Sequence, residues 1–463
     1  MEFLDRQAET GRIKQALAYN ESRLVVLYGR RRLGKTRIIQ QIRKKNDIYF
    51  TANQRESSLQ IAALARAVAK MIPGFDAVIY PDWESCLNTF NERISGISLK
   101  DRQAMPALIL DEFPYLVKSA PELPSLIQGM FDRRDTLHFH LLLSGSSQQM
   151  MQQLVLDSSA PLYGRADEII RLMPMNVYWL KEGLQCSALE AVEEYAIWGG
   201  IPRYWEIRKQ EKQRTKAIIK HIMDPHGILH DEPLRLFLDD SRDTVQMFTL
   251  VETIASGAQR LSEIASRMGK PATHLNRPLN KLIELGYIKR EIPFGENQRN
   301  SKRSLYRIAD PYINFYFSFV VPEKPSLNLG LAESLYREWV TPAFSQYCAA
   351  WWEELCRASV PKLFTNQAFR PGQRWWGSNT QKEQIEIDIL SASMDGSVLL
   401  IGEAKWSSTV NIPSVCNSLT QKTETLPWFQ GKKIHKVLFL KEKPAYVPEG
   451  YQVFTPEDVV NAL

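Results

Sequence analysis

One short stretch, Gly29-Arg-Arg-Arg-Leu-Gly34-Lys35-Thr36, constrains this chain more than any other. It fits GxxxxGK[ST], directly after the apolar run Leu24–Tyr28 and directly before TRIIQQIRKK, whose apolar residues recur at helical spacing. A strand, a glycine loop and a helix in that order let backbone N–H groups turn inward around phosphate oxygens. Lys35 is then expected to neutralise the β and γ phosphates of ATP, and the Thr36 hydroxyl to hold Mg²⁺. The phosphate cradle is read as Gly29, Arg30, Arg31, Arg32, Leu33, Gly34, Lys35, Thr36 and Arg37.

The second half of such a site comes from the apolar run Ala107–Leu110, which ends in Asp111-Glu112. An acidic residue at the carboxyl end of a buried strand can reach the metal, and the next can orient or deprotonate the attacking water. Asp111 is therefore assigned to Mg²⁺ and Glu112 to catalysis. Strand-like runs at 23–27, 47–51, 107–110, 138–143 and 168–172 alternate with amphipathic stretches, which predicts an α/β fold with a parallel sheet. The run at 47–51 between the two motifs points to the branch of P-loop ATPases with an added strand there and an adjacent catalytic Glu. After the 138–143 run comes Ser144-Gly145-Ser146-Ser147, where Ser144 or Ser146 is expected to sense the γ-phosphate.

These motifs together resemble the archaeal-type ATPase family of the AAA+/STAND-related P-loop class. The resemblance rests on Phe3-Leu-Asp-Arg6, the stretch Tyr28–Thr36, Leu108-Ile-Leu-Asp-Glu112, Ser144–Ser147, Pro161-Leu-Tyr-Gly-Arg165 and Gly199-Gly-Ile-Pro-Arg-Tyr204, and covers about the first 205 residues. In that class an arginine at the position of Arg165 often completes a neighbouring subunit's site, so Arg165 is a candidate catalytic residue; Arg203 could instead reach phosphate from a lid. The resemblance also implies a following winged helix, a C-terminal nuclease-like domain, an ATP-driven and DNA-associated activity, and an association with mobile elements or genome defence.

The order of patterns divides the 463 residues into an ATPase core (1–178), a helical lid (179–240), a winged helix (241–310), a helical linker (311–345) and an α/β restriction-endonuclease-like domain (346–463). Residues 261–268 and 272–285 read as two helices around a turn at Gly269, and 287–293 with 304–308 as a hairpin. Helical spacing exposes Thr273, His274, Arg277 and Lys281. The hairpin carries Lys289, Arg290, Arg299, Lys302, Arg303 and Arg307. Of the chain's net charge of +6, residues 241–310 hold a surplus of five, with twelve Lys or Arg against seven Asp or Glu. Arg277, Lys281, Lys302 and Arg303 are therefore the candidate DNA contacts, of a salt-sensitive and mainly sequence-independent kind. The alternative is a winged helix that binds protein.

At the C-terminus, Ile385-Glu-Ile-Asp-Ile389 and Leu399-Leu-Ile-Gly-Glu-Ala-Lys-Trp406 resemble the PD-(D/E)XK nuclease core, with Ile387 where the name-giving proline would stand. Strand alternation puts Glu403 and Lys405 on one face, and Glu386 and Asp388 opposite Ile385, Ile387 and Ile389. Asp388 and Glu403 would hold Mg²⁺ while Lys405 stabilises phosphate or positions water. Glu353 or Glu354 on the preceding helix is a further carboxylate of the kind such folds often use. A fold that kept its shape and lost cleavage is the alternative. Trp351, Trp352, Trp375, Trp376 and Trp406 are expected to pack this domain, and His221, His226 and His230 lack metal-ligand spacing.

With 44% hydrophobic and 24% charged residues, the composition is that of a globular chain and excludes a disordered or collagen-like one. The N-terminus is charged from Glu2 and lacks the apolar core of an export signal, and no run approaches membrane-spanning length. Five widely spaced cysteines without a CxxC pair suit a reducing cytoplasm. The expected partners are DNA and a second copy of the chain or another protein, with no membrane.

Overall fold

The computed structural model describes residues 3–96, 105–240, 243–297, 301–426 and 432–463. Arg299, assigned to the basic hairpin, lies outside the described residues. The described residues divide into two compact units, one within 3–174 with 239 and 240 and the other within 175–238 and 243–463.

The first unit is built on a five-stranded sheet of β1 (Leu24–Tyr28), β2 (Ile48–Thr51), β3 (Ala107–Asp111), β4 (His140–Gly145) and β5 (Glu168–Arg171). Its spatial order is β2-β3-β4-β1-β5, and every pairing is parallel. β1, β3 and β4 are buried throughout their length, as expected where helices cover both faces of a parallel sheet. The run at 47–51 takes the outer edge, and β4 separates β1 from β3. The loop after β1 and the carboxylates at the end of β3 therefore open at the same edge of the sheet, two strands apart. Crossover helices contribute Trp83, Phe90, Phe113 and Leu123 to the core beneath.

In the second unit, the helix Ala188–Trp198 starts in a capping box of Ser187 and Glu190 and stops at Gly199, whose φ is 60°. Further along come helices at Thr244–Ala255, Leu261–Met268 and Ala272–Glu284, then an antiparallel hairpin of β6 (Ile288–Glu291) and β7 (Leu305–Ile308). The third of these helices buries Leu275, Leu279 and Leu282, spaced four and three residues apart, and leaves Thr273, His274 and Arg277 exposed.

The long helix Thr341–Leu363 precedes a mixed sheet of β8 (Gln373–Ser378), β9 (Gln384–Ala392), β10 (Val398–Lys405), β11 (Lys433–Leu440) and β12 (Tyr451–Phe454). The strand order is β12-β11-β10-β9-β8, with β10, β11 and β12 parallel and β8 and β9 antiparallel to their neighbours. Trp351, Trp352, Trp375 and Trp406 are buried and Trp376 is half-buried.

Strand alternation does not hold along β9. Gln373 pairs with Leu390 but Trp375 pairs with Ile387, so three steps on β9 oppose two on β8. This bulge at Asp388 and Ile389 turns Ile387 and Leu390 into the same apolar cluster, with Trp375, Leu399 and Leu419.

Candidate nucleotide and carboxylate sites

In the first unit the loop after β1 is shaped by two glycines. A Cβ on Gly29 would lie 2.6 Å from the Leu172 carbonyl oxygen, and Gly34 has φ 97° as it opens the helix Lys35–Ile42. Arg30 and Leu33 are buried, Arg32 adopts a left-handed backbone at φ 69°, and Thr36 and Arg37 are exposed. The Lys35 ammonium donates to the carbonyls of Gly29 at 2.8 Å and Arg30 at 3.0 Å, inside the curve of the loop. Burial pushes its pKa down to about 8, against the pull of Glu112 and Asp111.

Asp111 meets the loop directly. Its Oδ2 accepts from Thr36 Oγ1 at 3.1 Å and from the Tyr49 hydroxyl at 2.8 Å, and its Oδ1 accepts from the Glu112 N–H at 3.1 Å. A hard divalent cation needs oxygen ligands of this kind, and Thr36 with Asp111 supplies them beside the loop. Glu112 occupies the left-handed region at φ 56°, costly for a non-glycine residue and sustained only where surroundings hold it. Its Oε2 accepts from Ser146 Oγ at 2.7 Å and, at 3.4 Å, from the Ser146 N–H. Ser146 is thus the serine that touches the candidate base, whereas Ser144 is buried within β4 and its hydroxyl has no hydrogen-bond partner among the described residues. Arg165 stands apart from this group in a two-pronged pair with Asp132, at 2.8 and 3.2 Å.

Arg31 donates to the Tyr115 hydroxyl at 2.7 Å and pairs with Asp239 at 2.8 Å. Tyr49, Ser146 as the partner of Glu112, Tyr115 and Asp239 were not legible in the motifs. Only Tyr49 left a trace, as a polar group in a short apolar edge strand.

In the second unit, Lys405 Nζ lies 2.7 Å from Glu403 Oε2 and 3.5 Å from Asp388 Oδ2, and Lys422 pairs with the other oxygen of Glu403. The N–H of Ala404 donates to Asp388 Oδ2 at 3.0 Å. The bulge therefore aims Asp388 across to β10, and its carboxylate takes the N–H that a regular ladder would use. Burial, with Glu403 adding, pushes the Asp388 carboxyl up to about 6. Glu353 joins this neighbourhood, its carboxyl raised by burial and then by Asp388. Glu354 faces elsewhere: burial alone would raise it, but Lys289 and Arg357 bring it down to about 2. Among the described residues, no group of three or more His, Cys, Asp or Glu forms a ready metal cage, and His221, His226 and His230 form none.

The hairpin's charges are largely committed within the second unit. Lys289 pairs with Glu291 and Glu354, Arg307 with Glu291, and Arg303 with Glu296 and with the Trp376 carbonyl. Lys281 is half-buried, while Arg277 and Lys302 are exposed. The charge count alone could not reveal these partners.

Comparison with known proteins bears on the first of these sites most. Residues 3–206 match a family described as an ATPase domain predominantly from Archaea. The chain carries an ATPase domain. Residues 316–417 match a second family, described as archaeal and bacterial proteins of unknown function. An uncharacterized protein of Methanocaldococcus jannaschii is 27% identical over 419 residues, 87% of each chain. A Walker-type ATPase of Pyrococcus abyssi shares the fold with a TM-score of 0.52 at 18% identity, covering 68% of this chain and 96% of that one. The ORC2 protein of Aeropyrum pernix, solved as ADPNP and ADP complexes, gives a TM-score of 0.45 at 12% identity over 71% of this chain and 96% of that one. The domain binds and hydrolyses ATP. Among the described residues no helix is long and apolar enough to cross a membrane.

Proposed function

We propose that ATP binding and hydrolysis govern engagement of DNA by a winged helix of residues 241–310, and that the C-terminal sheet cleaves phosphodiester bonds with Mg²⁺. The observation that carries the proposal is the convergence of Asp388, Glu403 and Lys405 at the bulge of β9 and the end of β10. Two buried carboxylates bridged by one lysine suit a metal-assisted attack on a phosphodiester, in which Mg²⁺ would polarise the phosphate and acidify a bound water. Lys405 is placed to steady the phosphate charge, and Glu353 to support Asp388.

In the ATPase domain the loop N–H groups and Lys35 hold the phosphates, Thr36 and Asp111 offer oxygens to Mg²⁺, and Glu112, steadied by Ser146, takes the proton of the attacking water. Ser144 remains the candidate for sensing the γ-phosphate, and Arg165 for completing the site of an adjacent copy.

The exposed face of the helix Ala272–Glu284, with Arg277, together with Lys302 on the hairpin, is the DNA-facing surface in this proposal. Each phosphate neutralised on duplex DNA contributes about 0.9 to the slope of log affinity against log salt. Arg277→Glu combined with Lys302→Glu should weaken binding of mixed-sequence duplex and reduce that slope by about 2. Binding and slope that both match wild type would remove DNA from this face.

A second reading has a specific observation behind it. Because Lys289, Arg303 and Arg307 are occupied by the protein's own carboxylates, the hairpin has less charge to offer than its sequence suggests. That favours a STAND-like switch whose output is protein association, with a non-cleaving C-terminal sheet. Cleavage separates the two. Mg²⁺-dependent cutting should disappear in Asp388→Ala while ATP turnover stays at the wild-type rate. Wild-type protein that cuts neither single-stranded, duplex nor supercoiled DNA, with ATP and Mg²⁺ or Mn²⁺ supplied, would support the switch.

A further inference from the structure

The helix Glu232–Asp240 ends in two aspartates and has no basic residue in its last turn. Carboxylates are disfavoured there, because the helix dipole already places negative charge at the carboxyl end. Asp239 finds its compensation in the loop Gly29–Thr36. Residues 239 and 240 cluster with the first unit, and Asp239 Oδ2 lies 2.8 Å from Arg31 Nη1. Asp240 is only 4% exposed. The charge of Asp240 acts on Lys35, and Asp239 acts on Arg31, Arg32 and Lys118. Burial raises the Asp239 carboxyl even with Arg31 beside it, and Glu112 pushes the same way. The pair thus brings negative charge to the cations that a triphosphate needs, at some cost to itself.

We propose that Asp239 and Asp240 are internal stand-ins for nucleotide phosphate, Asp239 competing with a nucleoside triphosphate for Arg31 and Asp240 adding negative charge next to it. The proposal rests on Gly29–Thr36 being the nucleotide site. A triphosphate carries more charge than two carboxylates and also takes the loop N–H groups, so it wins the competition. The aspartates set how much nucleotide that takes. They are affinity-setting residues, and the site is weaker for ATP than its cationic loop alone would make it.

The test uses the full-length protein and a fluorescent, non-hydrolysable ATP analogue with Mg²⁺. Asp239→Asn should bind the analogue about 5-fold tighter than wild type, and Asp239→Asn with Asp240→Asn about 10-fold tighter, the scale of a moderate coupling between sites. Asp239→Glu, which keeps the charge, should stay near wild type. Hydrogen exchange on the wild-type protein gives a readout that needs no variant: amides of residues 236–240 should exchange faster when the analogue saturates the site. Equal or weaker binding by the Asn variants, or slower exchange at 236–240 with analogue bound, overturns the proposal. Wild-type protein that fails to bind the analogue would instead strike at the nucleotide site itself.

Discussion

Glu112→Gln should bind ATP as wild type does and lose turnover by about 10²- to 10⁴-fold, the range a positioned general base contributes. Glutamine keeps the size of the side chain and an oxygen that can accept from the Ser146 hydroxyl, a contact of 2.7 Å in the wild-type site. The left-handed backbone at this residue and the Asp111 contacts to Thr36 and Tyr49 are untouched by the exchange. What is lost is the capacity to take a proton from water. Analogue affinity and the rate of phosphate release, measured on one preparation, check the two halves of the expectation. Phosphate release within a few-fold of wild type would take Glu112 out of the proton-transfer role.

Arg357→Ala should destabilise the second unit by about 3–5 kcal/mol, the cost of removing one partner from a buried ionic group. The Arg357 side chain is 7% exposed and pairs with Glu353 at 3.5 Å and Glu354 at 3.2 Å. It also donates to the Asp388 carbonyl at 3.0 Å. Alanine leaves the Glu353 and Glu354 carboxylates to Lys289, Arg307 and Arg374. The unfolding midpoint of this unit should drop by on the order of 10 °C. Arg203→Ala, which breaks an exposed pair with Glu206, should cost only about 0–1 kcal/mol.

The sign of the pH dependence follows from Glu354. Its folded carboxyl is depressed to about 2, so it contributes stability above the ordinary carboxylate range and loses it as pH falls towards 2. Without Arg357 there is less of that contribution to lose, so the stabilities of wild type and variant should converge on acidification. A loss below about 1 kcal/mol at neutral pH would mean that the remaining cations already satisfy the carboxylates.

What the sequence revealed was local. The loop Gly29–Thr36 and the Asp111-Glu112 pair could be found because spacing along the chain fixes both the chemistry and the strand end that presents it. Tyr49 reaches Asp111 from 62 residues away, and Ser146 reaches Glu112 from 34. No pattern within a window of one element encodes such meetings. The chain Ile385-Glu-Ile-Asp-Ile389 alternates perfectly, yet the bulge in β9 breaks that alternation at Asp388. A bulge depends on the partner strand, and β8, with its Arg-Trp-Trp-Gly centre, carries too short a pattern to announce itself. The charge surplus of residues 241–310 was real, but a count of cations says nothing about the carboxylates that meet them after folding.

The commitments of the hairpin also limit what recombination can do with this gene. Lys289 is tied to Glu354, Arg303 to the Trp376 carbonyl, and the Phe294 N–H to the Arg374 carbonyl at 2.9 Å. A crossover near residue 346 would separate donors from acceptors at every one of these contacts. The C-terminal sheet transplanted alone would carry Glu354 into its new host without the lysine that accompanies it here. Descendants of this protein should therefore keep the hairpin and the sheet together, with residues 288–463 inherited as one piece.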